Sequence, residues 1–192
     1  HADDTALRED LQLLRTQVDE CKKILSQTLA SAGQARDEGS RHIPLDAYLE
    51  RLLEEWQLIR PHVVIAAALA GPRPAPEIAT DRRLEQALLN LLDNAADASP
   101  DGLAFNAEWT AGTAAALTID ILDSGPGIDP ATASRLGEAF VSSKAGGLGI
   151  GFFLTNATLE QFGGSVELTP RDTGGTRTRV TLPLALLTLD PT

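Results

Sequence analysis

Residues 90–99 read N-L-L-D-N-A-A-D-A-S. Asn90 and Asn94 stand four apart, which makes them neighbours on one side of a helix. Leu88, Leu89, Leu91 and Leu92 surround them, so at least part of this helix is expected to be buried. An amide taken out of water needs hydrogen-bond partners. Either neighbouring protein groups supply them, or a ligand or ion does. An isolated pair of this kind also serves as a helix cap or as satisfied core amides.

Outward from this stretch, Thr80 or Asp81 is placed to cap the helix, which runs through Ala98 and stops at Ser99-Pro100-Asp101-Gly102. Upstream, residues 45–60 form an amphipathic helix ended by Pro61, and Val63–Leu69 reads as a strand. Gly71–Pro76 is a proline-rich turn. Downstream, Leu103–Ala111 and Ala115–Leu122 read as a hairpin around Gly112-Thr113. Pro130–Gly137 is expected to be a short helix, and Phe152–Phe162 a longer one ended by Gly163-Gly164. Ser165–Thr169 and Thr176–Leu182 make a last hairpin around Asp172-Thr173-Gly174-Gly175. This order predicts an α+β fold, with helices on one face of a mixed sheet.

The N-terminal segment has a different period. Leu7, Leu11, Leu14, Val18, Cys21 and Leu25 follow spacings of four and three, with Leu29 near the next step. That is a heptad seam, expected to bury a narrow stripe against another helix. The rest of the chain offers no second heptad segment, so another copy or an upstream helix is the expected partner. The expected boundaries are 1–36 for this heptad helix, 37–42 for a linker and 43–192 for a globular domain.

The 192-residue chain carries a formal net charge of −11 and a pI near 4.6. Phosphate-backbone recognition draws on a basic field, so nucleic acid is not an expected partner, nor is adhesion to an anionic membrane. A small anionic ligand is still compatible, because helix N-termini, a divalent cation and one lysine bind phosphate locally. The single cysteine, Cys21, excludes an internal disulfide and fits a reducing compartment. No apolar run reaches membrane-spanning length, and no signal peptide is evident.

Two glycine-bearing turns carry further chemistry. D-S-G-P-G-I at 123–128 follows the strand T-I-D-I-L. Gly125 and Gly127 there let a flat ligand approach the backbone, and the Asp123 carboxylate can accept from an exocyclic amine; a plain strand-to-helix turn reads the same way. G-G-L-G-I-G at 146–151 opens the helix F-F-L-T-N, where backbone N–H groups can converge on an anion. Lys144 lies just upstream. No Gly-Lys-Ser/Thr follows and no strand leads directly in, so this is neither a Walker loop nor a dinucleotide fingerprint. An amide oxygen such as that of Asn94 is a hard ligand suited to Mg²⁺.

Taken together and in order, these motifs resemble the ATP-binding domain of sensor histidine kinases, in the superfamily shared with gyrase, Hsp90 and MutL. Asn90–Ala95 resembles the N box, Asp123–Gly127 the first G box, Phe140 the F box and Gly147–Gly151 the second G box, over roughly residues 43–185. The resemblance implies a Bergerat (GHKL) two-layer sandwich preceded by a coiled-coil-type helix, with residues 1–36 as a partial dimerisation helix, the second of a hairpin. It implies ATP and Mg²⁺ as cofactors. Asp123 would accept from the adenine amino group, with Gly125 and Gly127 letting the base lie close. Asn94 would hold Mg²⁺, supported by Asn90. Lys144 and the amides around Gly147, Leu148, Gly149 and Gly151 would bind phosphates within a lid spanning about 129–150, with Phe140 also in the cofactor site; Asn90 and Lys144 would be the catalytic pair.

Two departures stand out. Members of that family often carry Lys or Arg where Asp97 stands, which would remove one phosphate contact. His1, His42 and His62 are not followed by the family's phosphoacceptor motif, so the chain is expected to begin after the acceptor helix. The phrase L-R-E-D-L-Q-L-L-R-T-Q-V-D-E-C-K-K-I-L is similar to the redox-responsive RegB/PrrB group, in which a cysteine on this helix is implicated in redox control; Cys21 matches its place. By spacing alone, Cys21 is a small apolar residue on the seam. Lys22 and Lys23 beside it could lower its pKa.

The resemblance thus implies a catalytic fragment that passes the γ-phosphoryl to a histidine on an absent helix, and from there to a response regulator aspartate. It also implies homodimerisation through the N-terminal helix and a cytoplasmic location, with membrane contact only through missing upstream segments of a bacterial inner-membrane sensor. A nucleotide-sensing, redox-responsive dimerisation module without kinase activity is the alternative. An ATPase or serine kinase of the same superfamily is a third reading, which the heptad helix disfavours.

Overall fold

The computed structural model describes residues 42–129 and 150–188, all within one unit, Ser40–Thr192. The heptad segment with Cys21, the expected helix at 130–137, and Phe140, Lys144, Gly147, Leu148 and Gly149 lie outside the described residues. The described elements are β1 (His42–Pro44), α1 (Leu45–Ile59), β2 (Ile65–Ala70), β3 (Glu77–Ala79), α2 (Arg82–Ala98), β4 (Leu103–Trp109), β5 (Ala116–Leu122), α3 (Ile150–Gln161), β6 (Ser165–Pro170), β7 (Thr176–Pro183) and α4 (Leu184–Leu187). Among them no helix is long and apolar enough to cross a membrane.

Five strands form a mixed sheet in the order β2-β4-β5-β7-β6, with β2 parallel to β4 and the other neighbours antiparallel. Alternation divides it into two faces. Leu103, Phe105, Ala107 and Trp109 of β4, Leu117, Ile119 and Ile121 of β5, and Val180 and Leu182 of β7 are buried. The helices cover that face; the other carries Asp120, Arg177 and Arg179, whose carboxylate and guanidinium groups pair across β5 and β7.

Helix α2 buries Leu84, Leu88, Leu91 and Leu92. Burying each leucine contributes roughly 1.5–3 kcal/mol. The poor helix formers Asn90, Asp93, Asn94 and Asp97 cost up to about 0.7 kcal/mol each. Packing therefore holds the helix, and its polar side is tolerated rather than helix-forming. Of the two capping residues expected from the sequence, Asp81 takes the position: its side chain accepts from the Arg83 N–H at 2.7 Å and pairs with the Arg83 guanidinium at 2.8 Å. Burial pushes the Asp81 carboxyl up, but the hydrogen bonds and charge of Arg83 outweigh it and hold it below the ordinary value. A group with a depressed folded-state pKa contributes its stability above its unfolded pKa and loses it as pH falls through the folded value. Asp81→Ala should thus cost about 1 kcal/mol at neutral pH. In urea denaturation that difference should hold down to about pH 4 and shrink below it.

The structure departs from the sequence expectations in short elements and edges. β1 and β3 form a separate antiparallel pair, Ile43 opposite Ile78, so the expected linker at 37–42 runs into a strand at His42. Three residues are too few to show alternation. β2 begins at Ile65 rather than Val63 because the Gln57 amide donates to the carbonyls of Arg60 (3.0 Å) and Val63 (2.8 Å), holding that segment as a turn. After Pro183, α4 adds a single turn that buries Leu184 and Leu187.

Candidate functional site

The inward alternation of Leu117, Ile119 and Ile121 continues one step past β5 and turns Asp123 towards the helices. The residue is 3 % exposed. A buried carboxylate is costly unless hydrogen-bonded, and here backbone donors supply the bonds. Oδ1 accepts from the N–H of Gly125 at 2.9 Å and of Thr176 at 3.0 Å. The Asp123 N–H donates to the Thr176 carbonyl at 3.0 Å, and the Asp123 carbonyl accepts from the Arg171 guanidinium. The described residues donate nothing to Oδ2, so one oxygen is locked and the other is left as an acceptor. That fits a ligand with an amino donor.

The glycines around Asp123 are there for close approach. A Cβ on Gly125 would sit 2.5 Å from the Ala98 carbonyl oxygen, so this turn packs directly on the last residue of α2. Gly127 takes a left-handed φ of +81°. Gly175 has φ +85°, and a Cβ there would lie 2.0 Å from the Asp123 carbonyl oxygen. The turn between β6 and β7 thus closes over the end of β5.

The two amides that open the sequence reading are not core groups. Asn94 is exposed and Asn90 half-buried, with the Gln86 amide donating to Asn90 Oδ1 at 3.3 Å. Protein partners are therefore not required for them, and they line the solvent side of α2. α2 packs along α3, and Arg83 near the start of α2 stacks over Phe162 at 5.4 Å just past the end of α3. Gly151, expected just ahead of the helix, is the second residue of α3 and has no atom within 4 Å of a built Cβ. Asp97, where the resemblance leads one to look for a cation, pairs with Arg60 at 3.1 Å; Arg60 also reaches Asp93 at 3.2 Å.

The described structure therefore joins Asp123, Gly125 and the C-terminal end of α2, with Asn90 and Asn94 along the same helix. Cys21, Phe140, Lys144, Gly147, Leu148 and Gly149 are outside it. Sequence reasoning missed Arg171, Gly175 and Thr176 as parts of the site. Gly174-Gly175 was legible as a turn, but no local signal says which strand end that turn meets. Two depressions of about 460 and 430 Å³ are both bordered by Leu122 and Arg171. The first is also bordered by Ala98, Ser99 and Ser124, so it adjoins the turn that carries Asp123 and Gly125; the second is bordered by Asp120, Thr169 and Arg177 on the open face.

Residues 79–186 match the model of the histidine kinase-, DNA gyrase B- and HSP90-like ATPases. The C4-dicarboxylate transport sensor protein DctS of Rhodobacter capsulatus is 39% identical over 129 residues, covering 65% of this chain and 20% of its own length. Sensor histidine kinase RegB of Cereibacter sphaeroides is 29% identical over 181 residues, covering 84% of this chain and 37% of its own length. The chain thus spans well under half of either relative. Among solved structures, full-length ShkA in complex with AMPPNP superposes with a TM-score of 0.58 at 26% identity, over 92% of this chain and 38% of that one. The mixed sheet with one helical layer is accordingly the two-layer sandwich that the motif order implied.

Proposed function

The chain belongs to the histidine kinase-, DNA gyrase B- and HSP90-like ATPase family, and from that premise we propose that it is the ATP-binding catalytic part of a two-component sensor histidine kinase. The observation that carries this reading is the buried Asp123 carboxylate, with Oδ1 held by two backbone N–H groups and Oδ2 left open. Such an acceptor suits the amino group of adenine; Gly125 and Gly127 would serve the same base by keeping the turn that carries it close against α2 and the β6–β7 turn. Asn94, exposed on α2, would offer its amide oxygen to Mg²⁺, with Asn90 beside it orienting the metal's water shell. Bound Mg²⁺ would neutralise phosphate charge. Lys144, Phe140 and the backbone around Gly147, Leu148, Gly149 and Gly151 complete the proposed nucleotide site.

Catalysis in this reading rests on positioning and charge neutralisation, with no covalent intermediate on this domain. The γ-phosphoryl would pass to a histidine outside these residues, and then to a response regulator aspartate. Residues 1–36 would dimerise as a helix, joined by 37–42 to the catalytic domain at 43–192, and Cys21 on that helix would make pairing redox-responsive. The domain would work on the cytoplasmic side of a bacterial inner membrane.

A thermal-shift titration with ATP, with and without Mg²⁺, tests the core of this reading. ATP at about 100 times its dissociation constant should stabilise the fold by roughly 2.7 kcal/mol. Asn94→Ala should lose the Mg²⁺-dependent part of that shift and keep part of the remainder. If Mg²⁺ enhances binding equally in that variant, Asn94 is not the ligand; if ATP at millimolar concentration leaves the wild type unmoved, the nucleotide reading fails. Binding without transfer to a supplied acceptor-helix fragment would favour the non-kinase module.

A further inference from the structure

Arg51, Arg60, Arg73, Arg83, Arg177 and Arg179 each lie beside a carboxylate. Half-buried Arg171 makes no ion pair among the described residues, although the chain carries an excess of acid. Its guanidinium donates instead to one backbone carbonyl, that of Asp123, 48 residues away. The turn it belongs to does not need that side chain. The Arg171 N–H donates to the Gly175 carbonyl, and the Gly174 N–H to the Arg171 carbonyl, each at 3.0 Å.

We propose that Arg171 is a positioning residue for base recognition, acting from the open face of the sheet through the peptide plane between Asp123 and Ser124. This inference rests on the reading of Asp123 as the purine acceptor. The peptide plane is rigid. Holding its carbonyl oxygen fixes where Ser124 begins and so narrows where the Gly125 N–H, one peptide further on, can point. That N–H is one of the two donors that lock Asp123 Oδ1. With both donors in place the carboxylate cannot turn about its terminal bond, and Oδ2 stays aimed at the ligand. With one lost, the carboxylate swings, its acceptor no longer meets the amino donor squarely, and the advantage of that donor over a carbonyl at the same place on the ring falls. Arg171 borders both depressions, and the bond it makes is to the Asp123 carbonyl rather than to the carboxylate.

The test is calorimetric titration of the full chain with ATP, GTP and adenosine, using wild type, Arg171→Ala and Arg171→Lys. The wild type should prefer ATP to GTP. Arg171→Ala should bind ATP and adenosine each about tenfold more weakly and lose a similar factor of its ATP-over-GTP preference. Arg171→Lys, which keeps a charged donor, should recover most of both. A loss shared by adenosine locates the defect at the base rather than the phosphates. Unchanged ATP affinity in Arg171→Ala, or equal losses for ATP and GTP with the preference intact, would overturn the proposal. A wild type that binds no ATP would overturn the parent reading as well, and is seen without any variant. Should Arg171→Ala not fold, Arg171→Gln decides by the same ratio: a lowered preference supports the proposal and an unchanged one overturns it.

Discussion

Asp123→Asn should lower ATP affinity by about 100-fold or more and leave the nucleotide-free protein folded. The substitution separates the two oxygens. The amide oxygen can take the place of Oδ1 and keep the bonds from Gly125 and Thr176. The amide nitrogen then occupies the place of Oδ2 and presents a donor where the ligand also has one. Hydrogen bonds to charged groups are worth about 1.5–3 kcal/mol, and a buried donor left facing a donor adds a penalty of about 1–3 kcal/mol. About 2.7 kcal/mol of lost binding corresponds to 100-fold. The loss of charge at Oδ1 should weaken its two bonds by only about 1 kcal/mol, a few degrees in melting temperature for a domain of this size. Calorimetric titration beside a melting curve checks both halves. Unchanged affinity rejects the purine assignment; loss of folding shows that the carboxylate is structural first.

Gly175→Ala should destabilise the fold by about 3 kcal/mol or more. An L-residue held in the left-handed region costs about 1–2 kcal/mol. The larger part is steric: the new Cβ would lie 2.0 Å from the Asp123 carbonyl oxygen and 2.7 Å from its carbon. Backbone must move on one side or the other, and the atom displaced is the one Arg171 holds. Urea denaturation should show the loss of stability, and nucleotide titration of the folded fraction should show weakened binding. Gly174→Ala is the matched control. Gly174 also has a left-handed φ of +86°, yet nothing lies within 4 Å of its built Cβ, so it should show the conformational cost without the clash.

Much of the fold was legible because the long elements carry strong periodicity. The leucines of α1 and α2 recur at helical spacing, and β4, β5 and β7 alternate with Pro and Gly between them. What escaped was short or non-local. β1, β3 and α4 are three or four residues each and are held by contacts with distant segments. The surroundings of the asparagine pair were left open by the sequence for a related reason. Periodicity shows that leucines lie near them, but not how wide the buried stripe is; packing against α3 and the sheet leaves Asn94 outside it.

The sequence by itself determined the order of helices and strands, the punctuation between them and the four-motif succession that marks the family. Those are local properties: side-chain period, turn chemistry and residue spacing. Only the tertiary structure decided that β7 pairs with β5, which brings the Thr176 N–H to the Asp123 carboxylate across 53 residues. It likewise decided that the Arg171 side chain reaches the Asp123 carbonyl and that Gly175 must remain glycine. The physical reason is that strand pairing is chosen by which faces can be buried together, a property of the whole sheet that no single segment carries.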